Sequence, residues 1–196
     1  DREQLYRVGQ AIGDSCQHEK LGVVLGPAVN IKRSPLCGRN FEYMGEDPFL
    51  ASKMVVPYVQ EVQKNGVAVC VKHYALNNQE TFRHQYDAVV DDRTLYEIYL
   101  PAFKAAVQEG GAWSIMGAYN LFEGEHLCHN DRILNKILKE EWGFDGIVIS
   151  DYNAVGELLI HGIADNMKDA ARYAFENGCD MEMCSSSYAH YLEELV

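Results

Sequence analysis

The sequence lacks most of the motifs that bind metals, phosphates or acyl groups. Its six cysteines stand singly, with no C-x-x-C pair and no Cys/His cluster at zinc-finger spacing, which argues against a thiolate metal site. There is also no H-x-H or H-E-x-x-H pair, no G-x-S-x-G elbow and no G-x-x-x-x-G-K-[ST] phosphate loop. We therefore expect neither a metal ion nor a cofactor.

Basic residues are scarce as well. Lysine and arginine together number 17 against 29 aspartates and glutamates, which gives a formal net charge of −12, and no lysine-rich run offsets it. A chain with this charge repels phosphate backbones and anionic lipid surfaces. No apolar stretch approaches the roughly 18 residues of a membrane-spanning helix. We expect no nucleic-acid partner and no membrane partner.

The cysteines bear on the cellular compartment. Cys70 lies inside an apolar run, where a free thiol serves as a small hydrophobic side chain. Unpaired cysteines are typical of reducing compartments, so the pattern favours the cytoplasm over the periplasm. The first ten residues, DREQLYRVGQ, have neither the basic nor the apolar segment of a signal peptide, although a leader removed upstream would leave the same sequence.

Five apolar runs have the length of β-strands, and helical patterns separate them. The runs cover residues 21–27, 66–73, 112–120, 143–152 and 179–183. The first four are almost continuously apolar, which is typical of parallel strands covered on both faces. Repeated β-α units of this kind predict a parallel sheet, either open and doubly wound or closed into a barrel.

Capping residues mark the helices between these strands. The predicted N-caps are Asp47, Asp92, Asn130 and Asn166, which open helices over 48–66, 93–111, 131–143 and 167–178. Pro57 and Pro101 predict kinks inside the first two of these helices. Gly178 stands where a helix-terminating glycine is expected. Residues 1–22 also have a helical pattern.

Polar side chains stand at the end of each of the first four runs or shortly after it. They are Asn30 with Lys32 and Arg33, Lys72 with His73, Tyr119 with Asn120, and Asp151 with Tyr152. A Rossmann sheet would need a G-x-G-x-x-G turn after its first strand, and LGPAVNIKRSP lacks one. The sequence therefore predicts an α/β fold with about five parallel strands, and it favours a barrel over an open sheet. In such a fold, ligands bind at the carboxyl ends of the strands.

The strand-end residues also have purely structural interpretations. Asp151 can cap the helix that follows it, Lys72 can extend along the sheet rim into solvent, and His73 can be a core histidine. Arg39 can pair with one of the carboxylates in CGRNFEYMGEDP. For each residue alone, the structural interpretation is the stronger one. Their occurrence at successive strand ends favours a shared site.

The side chains at this shared site, at the carboxyl ends of the predicted strands, suit a polyhydroxylated ligand. Carboxylates, cations and amides give directional partners to hydroxyl groups, and Tyr119 and Tyr152 offer aromatic faces for a sugar ring. A Schiff-base aldolase with Lys72 as its nucleophile is a competing interpretation. A non-catalytic carbohydrate-binding or scaffolding fragment is a third.

Four spaced blocks carry a resemblance to a known family: GPAVNIKRSPLCGRNFEYMGEDPFL, VKHYALNNQET, MGAYN and EWGFDGIVISDYNAV. They resemble, in order, blocks of the catalytic barrel of glycoside hydrolase family 3, and GELLIHGIADNMKDAARYAFENGCDMEM resembles its β-glucosidase branch. The resemblance implies hydrolysis of terminal β-D-glucosidic bonds. The substrate would be a β-linked oligosaccharide or an aryl or alkyl glycoside, with β-xylosidase activity as the alternative within the family.

Positions within these blocks imply roles for individual residues. By resemblance, Asp151 is the nucleophile of a retaining mechanism that passes through a covalent glycosyl-enzyme. The residues implied to hold hydroxyls of the sugar beside it are Arg39, Lys72, His73 and Arg83. Tyr119 would lie near the nucleophile and the ring oxygen. Tyr152 stands at the mouth, where the family often has a tryptophan.

The resemblance also implies that other catalytic parts lie elsewhere. In the β-glucosidases of this family a C-terminal α/β domain supplies the general acid/base, and nothing in residues 1–196 resembles that domain. The histidine-bearing K-H-F-P-G-H-G loop of other members is replaced by KHYALNNQE, and the D-G-P block of the first barrel strand is not found. The resemblance thus implies a partial (β/α) TIM-type barrel domain over residues 1–196, with about five parallel strands and incomplete at both ends. We expect poor or no turnover by this domain alone. We also expect self-association through its exposed edges.

Overall fold

The computed structural model describes residues 1–196 and is built around a parallel sheet whose strands alternate with helices. The strands are β1 (Val23–Val24), β2 (Ala68–Tyr74), β3 (Ser114–Gly117), β4 (Leu121–Phe122), β5 (Glu125–His126), β6 (Ile147–Tyr152) and β7 (Met181–Met183). The α-helices are α1 (Arg2–His18), α2 (Pro48–Lys64), α3 (Asp92–Thr94), α4 (Pro101–Gln108), α5 (Glu157–Ile160), α6 (Met167–Glu176) and α7 (Ser187–Leu195). Two further segments, Leu95–Tyr99 and Arg132–Glu141, are π-helical.

The order of the strands shows which kind of parallel sheet this is. The sheet runs β1-β2-β3-β6-β7 with every pair parallel, while β4 and β5 form a separate antiparallel hairpin. Each new strand is therefore added on the same side of the previous one. A doubly wound sheet reverses its strand order at a switch point, whereas a barrel does not. The predicted α/β fold, a partial TIM-type barrel of five parallel strands, is confirmed.

Alternate residues of the central strands face two different apolar layers. Val69, Val71, Ile115 and Val148 belong to the main core. Cys70, Met116 and Ile149 form a separate buried cluster across β2, β3 and β6. Because side chains of a strand alternate between its faces, these two sets mark the two sides of the sheet. A strand buried on both sides explains the continuous apolar runs in the sequence.

The helix signals in the sequence are largely confirmed. Asp47 accepts a hydrogen bond from the backbone N–H of Leu50, and α2 runs unbroken through Pro57. Asn130 caps the segment after it through the N–H of Ile133. Asn166 caps α6. The helix ends just before Gly178, which has a positive φ, as expected of a helix-terminating glycine.

The helix before β3 differs from the prediction. Its cap is Asp91, which accepts from the N–H of Thr94, and not Asp92. The N-cap is the residue just before the first helical residue. Because the helix begins at Asp92, this position falls on Asp91. The predicted single helix is divided here: a π-helical turn precedes Pro101, and α4 begins at this proline, where the sequence predicted a kink inside one helix. No helix of the structure combines the length and apolarity needed to cross a membrane.

Candidate active site

The sequence-predicted site residues lie at the carboxyl edge of the sheet. Lys72 stands two residues beyond Cys70 on β2, and Asp151 stands two residues beyond Ile149 on β6. Because side chains repeat every second residue along a strand, both continue the face that carries Cys70 and Ile149. The alternation of β2 therefore brings a lysine to the end of an otherwise apolar strand, on the face shared with Asp151.

Asp151 is the best-buried carboxylate of this edge, with 8% of its surface exposed. Its Oδ1 accepts the backbone N–H of Tyr152 at 2.7 Å, while its buried Oδ2 has no hydrogen-bond partner. The side chain does not cap the following helix, since α5 begins at Glu157 and has Gly156 at its N-cap position. The capping interpretation is therefore wrong, and one carboxylate oxygen is left for a ligand.

Burial and charge act on Asp151 in opposite directions. Burial raises the pKa of its carboxyl group above the ordinary value. The N–H of Tyr152 and the positive charges of Arg83, Arg39 and Lys72 lower that pKa and so limit the rise. The cations thereby favour the ionised carboxylate, which is the form that a nucleophile requires.

Lys72 and Arg39 share one carboxylate, Glu42. Glu42 Oε1 accepts a hydrogen bond from Arg39 Nε, and its Oε2 lies 3.5 Å from Lys72 Nζ. All three side chains are largely buried, with exposed fractions between 15% and 21%. The interpretation of Arg39 as an ion-pair partner is confirmed, and Lys72 does not extend freely into solvent. Glu42 thus contacts both cations, and both lie close enough to Asp151 to lower its pKa.

His73 is held by its backbone. The amide group of Asn30 donates to the carbonyl of His73 at 2.9 Å and accepts from its N–H at 2.8 Å. The imidazole is 1% exposed, and its Nδ1 has no partner. Burial, followed by the charges of Arg39, Lys72 and Arg83, lowers its pKa to about 2. His73 is therefore a neutral ring at physiological pH and not a further cation.

Arg83, Tyr119 and Tyr152 form the other side of the site. The guanidinium carbon of Arg83 lies 4.6 Å from the ring centroid of Tyr119, and Arg83 Nη1 donates to Glu80. Tyr119 donates its hydroxyl proton to the carbonyl of Tyr152 at 2.5 Å. Burial, then the charges of Asp151 and Glu157, raise the pKa of Tyr119, so it stays a neutral donor. The side chain of Tyr152 is largely exposed.

The structure thus brings all seven predicted site residues to one edge of the sheet, and it adds several that the sequence analysis did not assign to the site. These are Glu42, Glu80, His84 and Glu157, whereas Asn30, already predicted at the end of the first run, holds the backbone of His73. The three-residue spacing of Arg39 with Glu42 and of Glu80 with Arg83 was a local signal for ion pairs. The pair of His84 and Glu157, 73 residues apart, has no local signal.

A large open cavity of the structure does not contain Asp151. It measures about 700 Å³ and lies between the segments 33–38 and 76–90. Its lining includes Arg33, one of the predicted strand-end residues, and Glu80, the partner of Arg83. The chemistry at the strand ends, and not the size of this open cavity, identifies the candidate site.

Comparison with known proteins identifies the family. The sequence profile described as "Glycosyl hydrolase family 3 N terminal domain" matches residues 1–196. The β-glucosidase BoGH3A of Bacteroides ovatus is 57% identical over 179 residues, which are 91% of this chain and 22% of that protein. An exo-α-(1→6)-L-arabinopyranosidase of Bifidobacterium longum is 49% identical over 152 residues, which are 78% of this chain and 20% of that protein. The chain thus spans about a fifth of the curated relatives it matches.

Solved structures agree with the sequence relatives. β-Glucosidase 3B of Thermotoga neapolitana in complex with glucose superposes with a TM-score of 0.85 at 41% identity, covering 100% of this chain and 26% of that one. A β-glucosidase of Listeria innocua superposes with a TM-score of 0.93 at 34% identity, covering 100% of this chain and 28% of that one. The chain belongs to glycoside hydrolase family 3, and residues 1–196 match the N-terminal domain of that family.

Proposed function

We propose that this chain is the nucleophile-bearing part of a retaining β-glycosidase that acts on terminal β-D-glucosides, with Asp151 as the nucleophile. The observation that carries the proposal is the free oxygen of Asp151. Its Oδ2 is buried without a hydrogen-bond partner at the end of a strand, with three cations acting on it. The β-glucosidases among the relatives support the glucoside as substrate.

The proposed reaction has two displacements. Asp151 Oδ2 attacks the anomeric carbon as the bond to the leaving oxygen breaks, which gives a covalent glycosyl ester. Water then attacks the same carbon and releases the sugar and the Asp151 carboxylate. The transition states carry positive charge on the sugar ring, and the ionised carboxylate stabilises that charge.

A retaining enzyme also needs a second carboxyl group about 5 to 5.5 Å from the nucleophile, as general acid and then base. Glu42, Glu80 and Glu157 are each engaged by a cationic or imidazole side chain. We therefore place the acid/base outside residues 1–196, in a C-terminal α/β domain. The length of the relatives, of which the chain spans about a fifth, leaves room for such a domain.

The remaining predicted residues would bind the sugar. The proposed partners of its hydroxyl groups are Arg39, Lys72, His73 and Arg83. The free Nδ1 of His73 is a buried polar atom that a hydroxyl group could satisfy. Tyr119, beside Arg83, would lie near the ring oxygen. Tyr152 exposes an aromatic face that would stack on the ring at the entrance.

The nucleophile is tested by covalent labelling. A 2-deoxy-2-fluoro-β-D-glucoside with a dinitrophenolate leaving group needs no acid catalysis to react, so labelling does not depend on the acid/base. We expect one equivalent of label on Asp151, none on the Asp151→Asn variant, and full labelling of the exposed control Asp14→Asn. A label mapped to any other residue would show that the assignment is wrong.

The relatives also raise a second substrate. The L-arabinopyranosidase relative makes an α-L-arabinopyranoside the main alternative, beside the β-xyloside of the β-xylosidase interpretation. Both of these sugars lack the exocyclic CH₂OH of glucose. Labelling rates with the glucosyl, xylosyl and arabinopyranosyl reagents rank the three. We expect the glucosyl reagent to react fastest.

The other interpretations are less favoured. In the aldolase, Lys72 would be a free amine, but its Nζ lies beside Glu42, and the matching curated relatives are glycosidases. Borohydride trapping of a carbonyl substrate on Lys72 would reverse this conclusion. A non-catalytic carbohydrate-binding fragment would bind a sugar and take up no label, so the labelling experiment separates it from the enzyme.

A further inference from the structure

His84 lies between Arg83 and Glu157 and contacts both. Its Nε2 is the acceptor for Arg83 Nε at 3.3 Å, and its Nδ1 lies 2.8 Å from Glu157 Oε2. The imidazole also packs against the ring of Tyr119, with the two centroids 4.3 Å apart. Glu157 belongs to α5, which follows the Asp151 strand, so this contact joins two distant parts of the chain.

The chemistry of the three groups fixes the proton of His84. A guanidinium has only donors, so the Nε2 facing Arg83 must carry the lone pair. The ring proton is then on Nδ1, where it is donated to the Glu157 carboxylate. Each group in the series Arg83, His84, Glu157 donates to the next one. A change of Glu157 would therefore be transmitted to Arg83 through the orientation of a single ring.

The same bonds argue against a metal ion at this place. His84, Glu157 and His161 bring one ligand atom each within 4.8 Å of one another, which is close enough to suggest a cation site. However, the lone pair of His84 already faces Arg83, and Nδ1 carries its proton. The guanidinium of Arg83 would also repel a cation at this distance. A role in orienting Arg83 fits these contacts better.

Arg83 is constrained on three sides. Nη1 is bonded to Glu80 at 2.8 Å, Nε to His84, and the flat face lies over Tyr119. These contacts leave Nη2 for a ligand. The charge of Arg83 acts on both His73 and Asp151, so the guanidinium lies close to the other site residues. A planar donor held at Nη1, Nε and its face has little rotational freedom left.

We propose that Glu157 and His84 are positioning residues, which hold the Arg83 guanidinium in the orientation that presents its remaining N–H groups to the sugar. The proposal rests on the proposed role of Arg83 in sugar binding. Pre-orientation lowers the entropy lost on binding and keeps the donors aligned as charge develops on the ring. Neither His84 nor Glu157 needs to touch the sugar.

Two isosteric variants separate the two bonds of His84. His84→Gln keeps an acceptor near the position of Nε2, whereas His84→Asn keeps a donor near the position of Nδ1 and loses the acceptor for Arg83. The probe is 1-deoxynojirimycin, an iminosugar analogue of glucose. We expect His84→Asn to weaken its binding about 10- to 100-fold, the range for a hydrogen bond to a charged group. His84→Gln should restore most of this loss. Glu97→Gln, which changes an exposed ion pair, is the control.

Coupling to Arg83 is measured by a double-mutant cycle. If His84 acts through Arg83, the variant with both Arg83→Lys and His84→Asn should bind no more weakly than Arg83→Lys alone. Additive losses, or equal losses in His84→Gln and His84→Asn, would overturn the positioning role. An Arg83→Lys variant that binds normally would show that Arg83 is not a sugar-binding residue, and both proposals about Arg83 would then be wrong.

One measurement needs no variant and so does not depend on how the variants fold. The ¹⁵N chemical shifts of the His84 ring report which nitrogen carries the proton. We expect the ring proton on Nδ1 and the lone pair on Nε2. A ring protonated on Nε2 would face the Arg83 Nε–H donor with another donor, and this result would overturn the proposal.

Discussion

The Nε2 atom of His73 lies 3.8 Å from Oδ2 of Asp151, and both side chains are buried with a polar atom unsatisfied. At 3.8 Å the two atoms are too far apart for a hydrogen bond. The low pKa of His73 means that the contact is between a neutral ring and a carboxylate, not an ion pair. The gap leaves the carboxylate oxygen open, as attack on a sugar carbon requires.

His73 should make folding stability depend on pH. Burial and the nearby cations lower its folded-state pKa to about 2 from an ordinary value of 6.5. Below pH 6.5 the unfolded chain binds a proton that the folded chain does not, so stability falls as the pH falls. Between pH 7.5 and 5.5 the free energy of unfolding should fall by about 1 kcal/mol through this residue alone.

The measurement is urea unfolding of the wild-type protein and of His73→Asn at both pH values. The variant loses packing at every pH, so only the difference between the two pH values is informative. Burial of Asp151 raises its folded pKa, which makes stability rise as the pH falls and so opposes the effect of His73. The exposed His190→Asn variant should keep the wild-type slope. A His73→Asn slope equal to that of wild type would contradict the prediction.

Glu42 should determine how well Lys72, on β2, and Arg39, in the loop before α2, bind a sugar. Replacing it by Gln removes the charge that faces Arg39 Nε and Lys72 Nζ. Burial acts to lower the pKa of Arg39, but the hydrogen bond and charge of Glu42, together with the charges of Tyr43 and Glu80, raise it overall. We expect Glu42→Gln to weaken 1-deoxynojirimycin binding about 10-fold or more, measured by titration calorimetry.

The matched control for this prediction is Glu46→Gln. Glu46 is an exposed glutamate four residues along the chain and forms no ion pair in the structure. Its replacement changes the net charge by the same amount, so it corrects for long-range electrostatics. If Glu42→Gln and Glu46→Gln bind the iminosugar equally well, the orienting role of Glu42 is wrong.

The fold was predictable where local signals and tertiary structure agree. A run such as residues 66–73 has the composition of a doubly covered strand, and Asp47 with Pro48 has the signature of a helix start, so both were found. The hairpin of β4 and β5 was missed, although its turn carries Glu123 and Gly124, both with positive φ. Gly at the second position of a two-residue turn is a signal for such a hairpin.

The site was only partly predictable for a different reason. Strand-end position identifies Lys72, His73 and Asp151, because the carboxyl ends of parallel strands meet at one edge. The contact of His84 with Glu157 depends on how the loop after β2 meets the start of α5. No periodicity or spacing in a single sequence encodes such a contact, so it required the three-dimensional structure.

Tyr119 should separate the role of its hydroxyl group from that of its ring. Tyr119→Phe removes the 2.5 Å hydrogen bond to the carbonyl of Tyr152 but keeps the ring beneath Arg83. We expect a loss of about 1 kcal/mol in the free energy of unfolding. Tyr119→Leu also removes the aromatic face, so it should slow labelling of Asp151 more than Tyr119→Phe does. Tyr6→Phe, which affects only a long 3.5 Å contact with Gln60, should leave both quantities unchanged.

The order of the two Tyr119 variants is the informative result. If the ring supports Arg83, labelling by the fluoro-glucoside should slow more in Tyr119→Leu than in Tyr119→Phe. Equal rates in the two variants would show that the hydroxyl group, and not the contact with Arg83, carries the effect.

The free edge of β1 should make the 196-residue chain self-associate. β1 pairs only with β2, so the backbone groups on its other side lack a strand partner. Leu21, Val23 and Leu25 are 51%, 42% and 45% exposed along this edge. An uncovered apolar edge strand is a template for pairing with another chain.

Light scattering after size exclusion should therefore give a mass above that of the monomer, increasing with concentration. Val23→Lys should return the measured mass to the monomer value, because a charge on an edge strand opposes pairing. The control is Val89→Lys, which changes an exposed valine outside the five-stranded sheet and should leave the mass above the monomer value. A wild-type chain that is monomeric at every concentration would contradict the prediction, and association unaffected by Val23→Lys would place the contact on another surface.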